Sequence, residues 1–182
     1  MKLIGITGKA GAGKDTLAAG FVRLGYRRIA FADALKEAAA VIAGEPSGPY
    51  FTHEGKVEFS PVLGRTRREA LQSLGSAVRS HLDEGVWVRR ALAEWERLGR
   101  PATVISDVRY DNEAQKIRDL GGMVIRIDRP GPALLSGAAA AHESEHGVCV
   151  DLVDEVFVND GDIDDVNAYA AGVADWLAGV RA

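Results

Sequence analysis

The 182-residue sequence has a single cysteine, Cys149, and no long hydrophobic run. One cysteine cannot form an intramolecular disulfide, so we expect a protein of a reducing compartment, the cytoplasm. Because the apolar runs fall short of the roughly 18–20 residues that span a bilayer, we expect no membrane partner. The N-terminal segment also lacks the small-residue cleavage pattern of a signal peptide.

Lysine is scarce as well, with six lysines against sixteen arginines. Arginine can bind phosphate through two parallel hydrogen bonds, so this imbalance favours a phosphate-handling site; a GC-rich genome that prefers Arg codons explains it equally well. The formal net charge of −4 argues against a surface that binds nucleic acid throughout. A hydrophobic content of 47% and the chain length fit one soluble globular domain.

Short apolar segments alternate with amphipathic ones, which predicts an α/β fold: a five-stranded, mainly parallel sheet flanked by helices. Two irregular segments, 44–64 and 129–147, interrupt this pattern and are interpreted as lids, the first with a small hairpin around Glu54-Gly55. We expect strands at 2–7, 28–31, 102–106, 123–127 and 154–159, and helices at 14–24, 33–43, 66–80, 84–98, 112–120 and 164–180.

The strongest motif is GITGKAGAGKDT, which lies between the first predicted strand and the first predicted helix. Its spacing, Gly8, four residues, then Gly13-Lys14, predicts a phosphate-binding loop whose backbone N–H groups surround a β-phosphate. A dinucleotide-binding loop is excluded because the third glycine of that fingerprint is missing. The candidate ATP-binding residues are Gly8, Gly11, Ala12, Gly13, Lys14, Asp15 and Thr16.

Asp15 stands where such loops usually carry the Ser or Thr that binds Mg²⁺. A carboxylate can ligate Mg²⁺ directly or through water, and Thr16 follows it; the alternative is that Asp15 is a first-turn acid favoured by the helix dipole. Asp107 follows the predicted strand 102–106, at the sheet edge where open α/β folds bind ligands. Asp15, Thr16 and Asp107 are the candidate Mg²⁺ ligands. The alternative role of Asp107 is to cap a helix.

Several arginines lie at the ends of predicted strands, beside the irregular segments, or on the helix that follows the first of these segments. Transfer between two phosphorylated molecules needs cations beyond those of the loop, because donor and acceptor phosphates repel each other. The arginines in such places are Arg65, Arg67, Arg68, Arg79, Arg109, Arg126 and Arg129.

The sequence HESEH at 142–146 matches the H-E-x-x-H pattern of zinc metalloproteases. A zinc site would need His142 and His146 one turn apart on a stable helix, with a third ligand beyond them. Gly147 follows at once and the sequence has no later histidine, so we expect no zinc hydrolase.

Taken together, the motifs resemble the bacteriophage deoxynucleoside monophosphate kinases, a branch of the phosphate-loop (P-loop) proteins. The resemblance runs from about residue 3 to residue 160, with Ala34 where we would expect proline and Ser76 where threonine is common. It implies a P-loop NTPase fold, ATP and Mg²⁺, a monophosphate-binding region at about 33–98 and a lid at 129–147. The motifs are GKAGAGKDT (8–16), FADALKE (31–37), RREALQSLGSAVR (67–79), DVRYDNEAQKIRDLGG (107–122) and HESE (142–145).

The resemblance also implies roles for individual residues. The reaction would be ATP plus a deoxynucleoside monophosphate (dNMP) giving ADP and the diphosphate, with positioning and charge as the means of catalysis. Trp87 would stack on a base or pack in the core, two roles that the sequence does not separate. The expected catalytic residues are Lys14, Asp107, Arg109 and Arg129; dNMP-binding residues are Asp33, Lys36, Arg65, Arg68, Gln72, Trp87, Arg109, Asn112 and Glu113; lid residues are Arg126, Arg129, His142, Ser144 and Glu145.

Two other functions stay open at this point. One is a different small-molecule kinase, such as one that phosphorylates phosphomevalonate and shares the Gly-Lys-Asp variant of the loop. The other is a non-catalytic module gated by nucleotide, against which the many arginines beyond the loop argue. The expected partners are ATP and a dNMP, without nucleic acid, and a homodimer is compatible with the resemblance. The expected location is the cytoplasm, that of the host cell if the chain is phage-encoded.

Overall fold

The structure is a computed structural model that describes residues 3–131, 142, 144 and 146–179. The chain divides into two compact units, which we call the sheet unit (residues 1–30 and 94–182) and the helical unit (residues 31–93). Within the described residues, no helix combines the length and the hydropathy required to cross a membrane.

Seven strands and eight α-helices are described, together with a 3-10 helix at Val150–Leu152. The strands are β1 (Leu3–Thr7), β2 (Arg27–Ile29), β3 (Phe59–Ser60), β4 (Arg65–Thr66), β5 (Thr103–Ile105), β6 (Met123–Asp128) and β7 (Glu155–Val158). The helices are α1 (Lys14–Arg23), α2 (Asp33–Ala43), α3 (Gly48–Phe51), α4 (His53–Val57), α5 (Arg67–His81), α6 (Val86–Arg97), α7 (Asp111–Asp119) and α8 (Ile163–Gly179).

The sheet unit contains a five-stranded sheet in the order β2-β5-β1-β6-β7, with every neighbouring pair parallel. This confirms the predicted five-stranded parallel sheet. The central strands β1 and β6 are nearly continuous apolar segments because both of their faces are covered. All five strands end at the same edge, which therefore gathers the segments that follow β1, β5 and β6.

Helices cover the two faces of this sheet. Ile4 and Ile6 belong to the same buried cluster as Leu17 and Phe21 of α1, so these helical side chains lie on one face. On the opposite face α7 packs closely, because Gly5 leaves room for Ile117, whose Cδ1 would lie 2.6 Å from a Cβ at that position. Each fully buried aliphatic side chain of this kind contributes about 1.5–3 kcal/mol to folding.

The helical unit shows where the sequence-based expectation was wrong. Glu54 and Gly55 do not form a hairpin but lie in α4, which Thr52 caps by accepting a hydrogen bond from the N–H of Gly55 at 3.1 Å. An N-cap threonine supplies an acceptor for the first helical turn, a signal that outweighs the turn-forming tendency of glycine here. The hairpin forms instead between β3 and β4, where Gly64 takes a φ of 66°.

The carboxylate of Glu45 connects several segments of the helical unit by hydrogen bonds. Glu45, with 14% of its side chain exposed, accepts hydrogen bonds from Tyr50 Oη at 3.1 Å, from Ser60 Oγ and from Arg67 Nε at 2.7 Å. Arg67 also donates to Glu58 at 2.8 Å. These hydrogen bonds hold the pKa of Glu45 below its ordinary value of 4.5. The bond from Ser60 lowers the pKa most, and the bond from Arg67 comes next. Arg67 therefore pairs with two carboxylates of the helical unit.

The Glu45 cluster predicts a pH dependence of stability. Because the folded state lowers the pKa of Glu45, its stabilisation is complete above pH 4.5 and is lost as pH falls through the lowered value. We expect Glu45→Gln to be less stable than the wild type at pH 7 and to lose less of its stability below pH 4.5. Urea unfolding across this range measures both, with Glu37→Gln on the exposed side of α2 as the control. Parallel pH profiles for wild type and Glu45→Gln would contradict the prediction.

Candidate active site

The turn between β1 and α1 has the backbone of a phosphate-binding loop. Gly8, Gly11 and Gly13 have φ values of 143°, 79° and 104°, a region that residues with a Cβ rarely adopt. Helix α1 begins without a side-chain cap, since Gly13 is its N-cap. The N–H groups of its first turn and the positive end of its dipole therefore face the loop, where an anion is favoured.

Lys14 lies over this loop. Its ammonium group donates to the carbonyl oxygens of Gly8 at 2.6 Å and Lys9 at 2.8 Å, so the charge is held beside the loop's own backbone. Asp15, next along the helix, is exposed, and Thr16 is half-buried. The structure thus places the positive charge of Lys14 at the loop and leaves the carboxylate of Asp15 accessible to a hydrated cation.

The segment after β5 runs beside the loop. The N–H of Val108 donates to the carbonyl of Ile6 at 3.0 Å, which brings Asp107 and Arg109 to the carboxyl end of β1. Glu113 of α7 is only 4% exposed, and its Oε2 accepts from the backbone N–H groups of Arg109 at 2.7 Å and Tyr110 at 3.1 Å. Glu113 therefore fixes the turn that carries Arg109.

A cavity of about 190 Å³ opens at this edge of the sheet unit. Its cationic side chains are Lys9, Arg109 and Arg126, and its carboxylate is Asp128, which accepts from Arg126 Nε at 3.0 Å. A cavity with this excess of positive charge next to a phosphate loop suits an anionic ligand. The other lining residues are Thr7, Gly8, Val108, Ser144, His146, Gly147 and Val148.

Part of the predicted lid contributes to this cavity. Arg109 Nη1 donates to the carbonyl of Ser144 at 3.2 Å and lies 3.4 Å from its Oγ. His142 Nδ1 lies 3.0 Å from Ser144 Oγ and accepts from the N–H of Ser144 at 3.2 Å. Ser144 thus contacts one catalytic candidate, Arg109, and His142 contacts Ser144. Arg129 is exposed and does not line the cavity, and Glu145 lies outside the described residues.

The described residues show no group of three or more His, Cys, Asp or Glu side chains arranged as metal ligands. Nδ1 of His142 is engaged with Ser144, while Glu143, the acid of the zinc-like pattern, lies outside the described residues.

The helical unit contains six of the predicted dNMP-binding residues, which lie on α2, β4, α5 and α6. Lys36 Nζ is 3.1 Å from Asp33 and 4.8 Å from the ring centre of Phe51. On and before α5, Arg65 Nη1 donates to Ser73 at 2.8 Å, and Arg68 is 3.5 Å from His53 Nδ1. Arg65 is exposed, and Arg68, Gln72 and Trp87 are half-buried.

Trp87 carries an unusual polar atom. Its Nε1 is shielded from solvent and has no hydrogen-bond partner among the described residues. The residue as a whole is half-buried, and its role in base stacking or in core packing stays a prediction. Asn112, the other amide predicted to bind dNMP, is half-buried in the first turn of α7, in the sheet unit.

Two residues of the site were missed from the sequence. Asp128 ends β6 as one acid among many, and only the cavity shows that it faces Arg126. Asn159 follows β7 and donates from Nδ2 to the carbonyl of Ala12 at 2.8 Å, a contact 147 positions apart. No local pattern marks an isolated asparagine after a strand as a partner of the loop.

Comparison with known proteins decides the family. The sequence model of the family described as deoxynucleotide monophosphate kinase matches residues 65–169. A protein of Acanthamoeba polyphaga mimivirus assigned as a deoxynucleotide monophosphate kinase is 36% identical over 153 residues, 73% of this chain and 77% of that protein. The chain belongs to the deoxynucleotide monophosphate kinase family. A family member of this kind is a nucleotide kinase, which confirms the prediction of a phosphotransferase.

Solved structures support the fold of this family member. Dephospho-CoA kinase from Campylobacter jejuni superposes with a TM-score of 0.51 at 16% identity, covering 96% of each chain. A protein from Chloroflexus aurantiacus assigned as a kinase gives a TM-score of 0.56 at 18% identity, covering 98% of this chain and 96% of the other. At these identities the likeness concerns the fold alone, and it confirms the predicted α/β kinase architecture.

Proposed function

We propose that this kinase transfers the γ-phosphoryl group of ATP to deoxynucleoside monophosphates, giving ADP and the diphosphate precursors of DNA synthesis. The observation that carries the proposal is the cationic cavity formed by Lys9, Arg109 and Arg126 next to the glycine-rich loop and Lys14. Such a site supports the meeting of two anions, which is the main electrostatic difficulty of the reaction.

The chemistry needs positioning and neutralisation of charge. An oxygen of the acceptor phosphate forms a bond to the γ-phosphorus while the bond from that phosphorus to the β–γ bridging oxygen breaks, and ADP leaves with the electron pair. Because the acceptor oxygen is already anionic, no protein base is required. Lys14 would contact the β- and γ-oxygens of ATP, and Arg109 and Arg126 would neutralise the group in transfer. Arg129 remains a prediction as a further cation.

The residues fit ATP and Mg²⁺. Positive φ values at Gly8, Gly11 and Gly13 allow the backbone to surround a polyphosphate. Exposed Asp15 and half-buried Thr16 and Asp107 offer the oxygen ligands that Mg²⁺ prefers, directly or through its waters. Bound Mg²⁺ would supply further neutralisation of the polyphosphate charge.

The phosphate and the base of the acceptor are assigned to residues of the helical unit. Lys36, Arg65 and Arg68 would hold its phosphate, and Asp33 orients Lys36 by their ion pair. Gln72 and Trp87 would bind its base, Gln72 through its amide and Trp87 through its half-buried ring. Asn112 remains a proposed dNMP contact, whereas Glu113 would act by holding the turn of Arg109.

An ADP-release assay over a panel of acceptors tests the proposal. We expect Mg²⁺-dependent turnover with one or more of dAMP, dCMP, dGMP and dTMP, and loss of turnover with EDTA. Preferential turnover of phosphomevalonate would favour the other kinase. Slow ATP hydrolysis that no acceptor accelerates would favour a nucleotide-gated module. A homodimer, the absence of nucleic acid partners and a cytoplasmic location remain predictions.

A further inference from the structure

Asn159 lies where three segments of the sheet unit meet. It directly follows β7 and is 5% exposed. Its backbone N–H donates to the carbonyl of Asp128 at 2.7 Å, and its side-chain Nδ2 donates to the carbonyl of Ala12 at 2.8 Å. One residue therefore ties the phosphate loop to the end of β6, where Arg126 and Asp128 line the cavity.

The bond to Ala12 fixes the direction of a peptide group. In a trans peptide the carbonyl oxygen and the N–H of the next residue point to opposite sides of the same plane. Because Asn159 holds the carbonyl of Ala12 on its own side, the N–H of Gly13 points away from Asn159. Rotation of this peptide would remove that N–H from the loop and would leave a buried carbonyl without its donor.

Gly13 is matched to this arrangement. A Cβ on Gly13 would lie 2.5 Å from Asn159 Nδ2, so the amide occupies the space that a side chain would need. Gly13 also has a φ of 104° at the N-cap of α1, a backbone conformation that residues with a Cβ rarely adopt. The glycine of the motif and Asn159 thus form one packed contact.

We propose that Asn159 is a positioning residue for nucleotide: its amide orients the Ala12–Gly13 peptide so that the Gly13 N–H is directed at the polyphosphate. The inference rests on the proposed use of ATP. Asn159 does not touch the reacting atoms; it holds the donor in place before ATP arrives, which lowers the cost of ordering the loop on binding.

Two substitutions test the role of Asn159. Asn159→Ala removes the donor, and Asn159→Asp keeps the shape but turns a carboxylate oxygen toward the carbonyl of Ala12. We expect the Kd for a fluorescent ATP analogue to rise about tenfold in the alanine variant and further in the aspartate variant. The KM for ATP rises in parallel, while the KM for the dNMP acceptor stays unchanged. Asn167→Ala is the matched control, because it removes an amide that contacts Arg23 on α1, away from the loop.

A readout without nucleotide separates this inference from the proposed function. Amide hydrogen exchange of residues 9–16 is expected to quicken in both Asn159 variants and not in Asn167→Ala. Unchanged ATP Kd and unchanged exchange in Asn159→Asp would overturn the positioning role. A loss of stability with a normal Kd for the folded fraction would also overturn it. The wild type could bind no ATP while exchange is still faster in the Asn159 variants. That result would refute the proposed function but support the orientation of the loop by Asn159.

Discussion

Lys14→Ala is expected to lower kcat by about a hundred- to a thousandfold, the loss typical for removing one charged or polar group that stabilises a transition state. The ammonium group of Lys14 donates hydrogen bonds to the loop carbonyls of Gly8 and Lys9. In this position it would contact the β- and γ-oxygens of ATP. The charge of the transferring group is distributed over these oxygens in the transition state, so the effect falls on kcat more than on KM.

The stability of the protein is expected to change little in Lys14→Ala. Lys14 is half-buried, and the hydrogen bonds described for its ammonium group go to loop carbonyls and not to the core of the sheet unit. Lys116→Ala, which removes an exposed lysine from α7, is the matched control and is expected to keep full activity. Steady-state kinetics and thermal unfolding of both variants measure the two effects. Turnover of Lys14→Ala within tenfold of the wild type would remove Lys14 from the catalytic residues.

The phosphate loop could be predicted because its signal is local. The glycines, the lysine and the flanking strand and helix occupy one continuous segment, and the positive φ values at Gly8, Gly11 and Gly13 explain why glycine stands there. The parallel sheet was also predictable, since each strand is a short apolar segment whose type depends little on distant partners. Because β1 and β5 are parallel neighbours, both end at the same edge of the sheet, and Asp107 and Arg109 therefore lie near the loop.

The roles of neighbouring arginines could not be predicted in the same way. Arg65, Arg67 and Arg68 are nearly adjacent in sequence, yet Arg67 is held by Glu45 and Glu58 while Arg65 remains exposed. What separates them is the position of an acid 22 residues before Arg67, which only the fold brings near. Asn159 is a stronger case of the same limit, because its partner Ala12 is 147 residues away.

Glu113 shows a limit of a different kind. The resemblance indicated that this position matters and suggested contact with the substrate, whereas the structure directs its carboxylate to the backbone N–H groups of Arg109 and Tyr110. A motif identifies a residue without stating whether it touches the ligand or holds another residue that does. Here the burial of Glu113, 4% exposed, supports the second role.

Arg109 is the residue on which these contacts converge, and Arg109→Ala is expected to lower kcat by about a thousandfold. Its backbone is fixed by Glu113, its guanidinium is bonded to Ser144, and it shares the cavity with Arg126. Arg109→Lys keeps the charge but loses the planar fork that can bind Ser144 and a phosphoryl oxygen together. We therefore expect lysine to recover less than about a tenth of the lost rate, because an ammonium group cannot make the two parallel hydrogen bonds of the fork.

A control variant tests whether the effect is specific to Arg109 or follows from replacing any arginine by lysine. Arg97→Lys changes an exposed arginine of the sheet unit whose guanidinium pairs with Glu94 at 2.6 Å, outside the cavity, and full activity is expected. If Arg109 acts on the group in transfer, kcat falls for every acceptor in the panel while the KM for ATP changes by less than kcat does. Full recovery by Arg109→Lys would show that charge alone suffices. A rise in the KM for the acceptor with kcat unchanged would assign Arg109 to acceptor binding instead of transfer, because uniform binding energy affects KM without accelerating the chemical step.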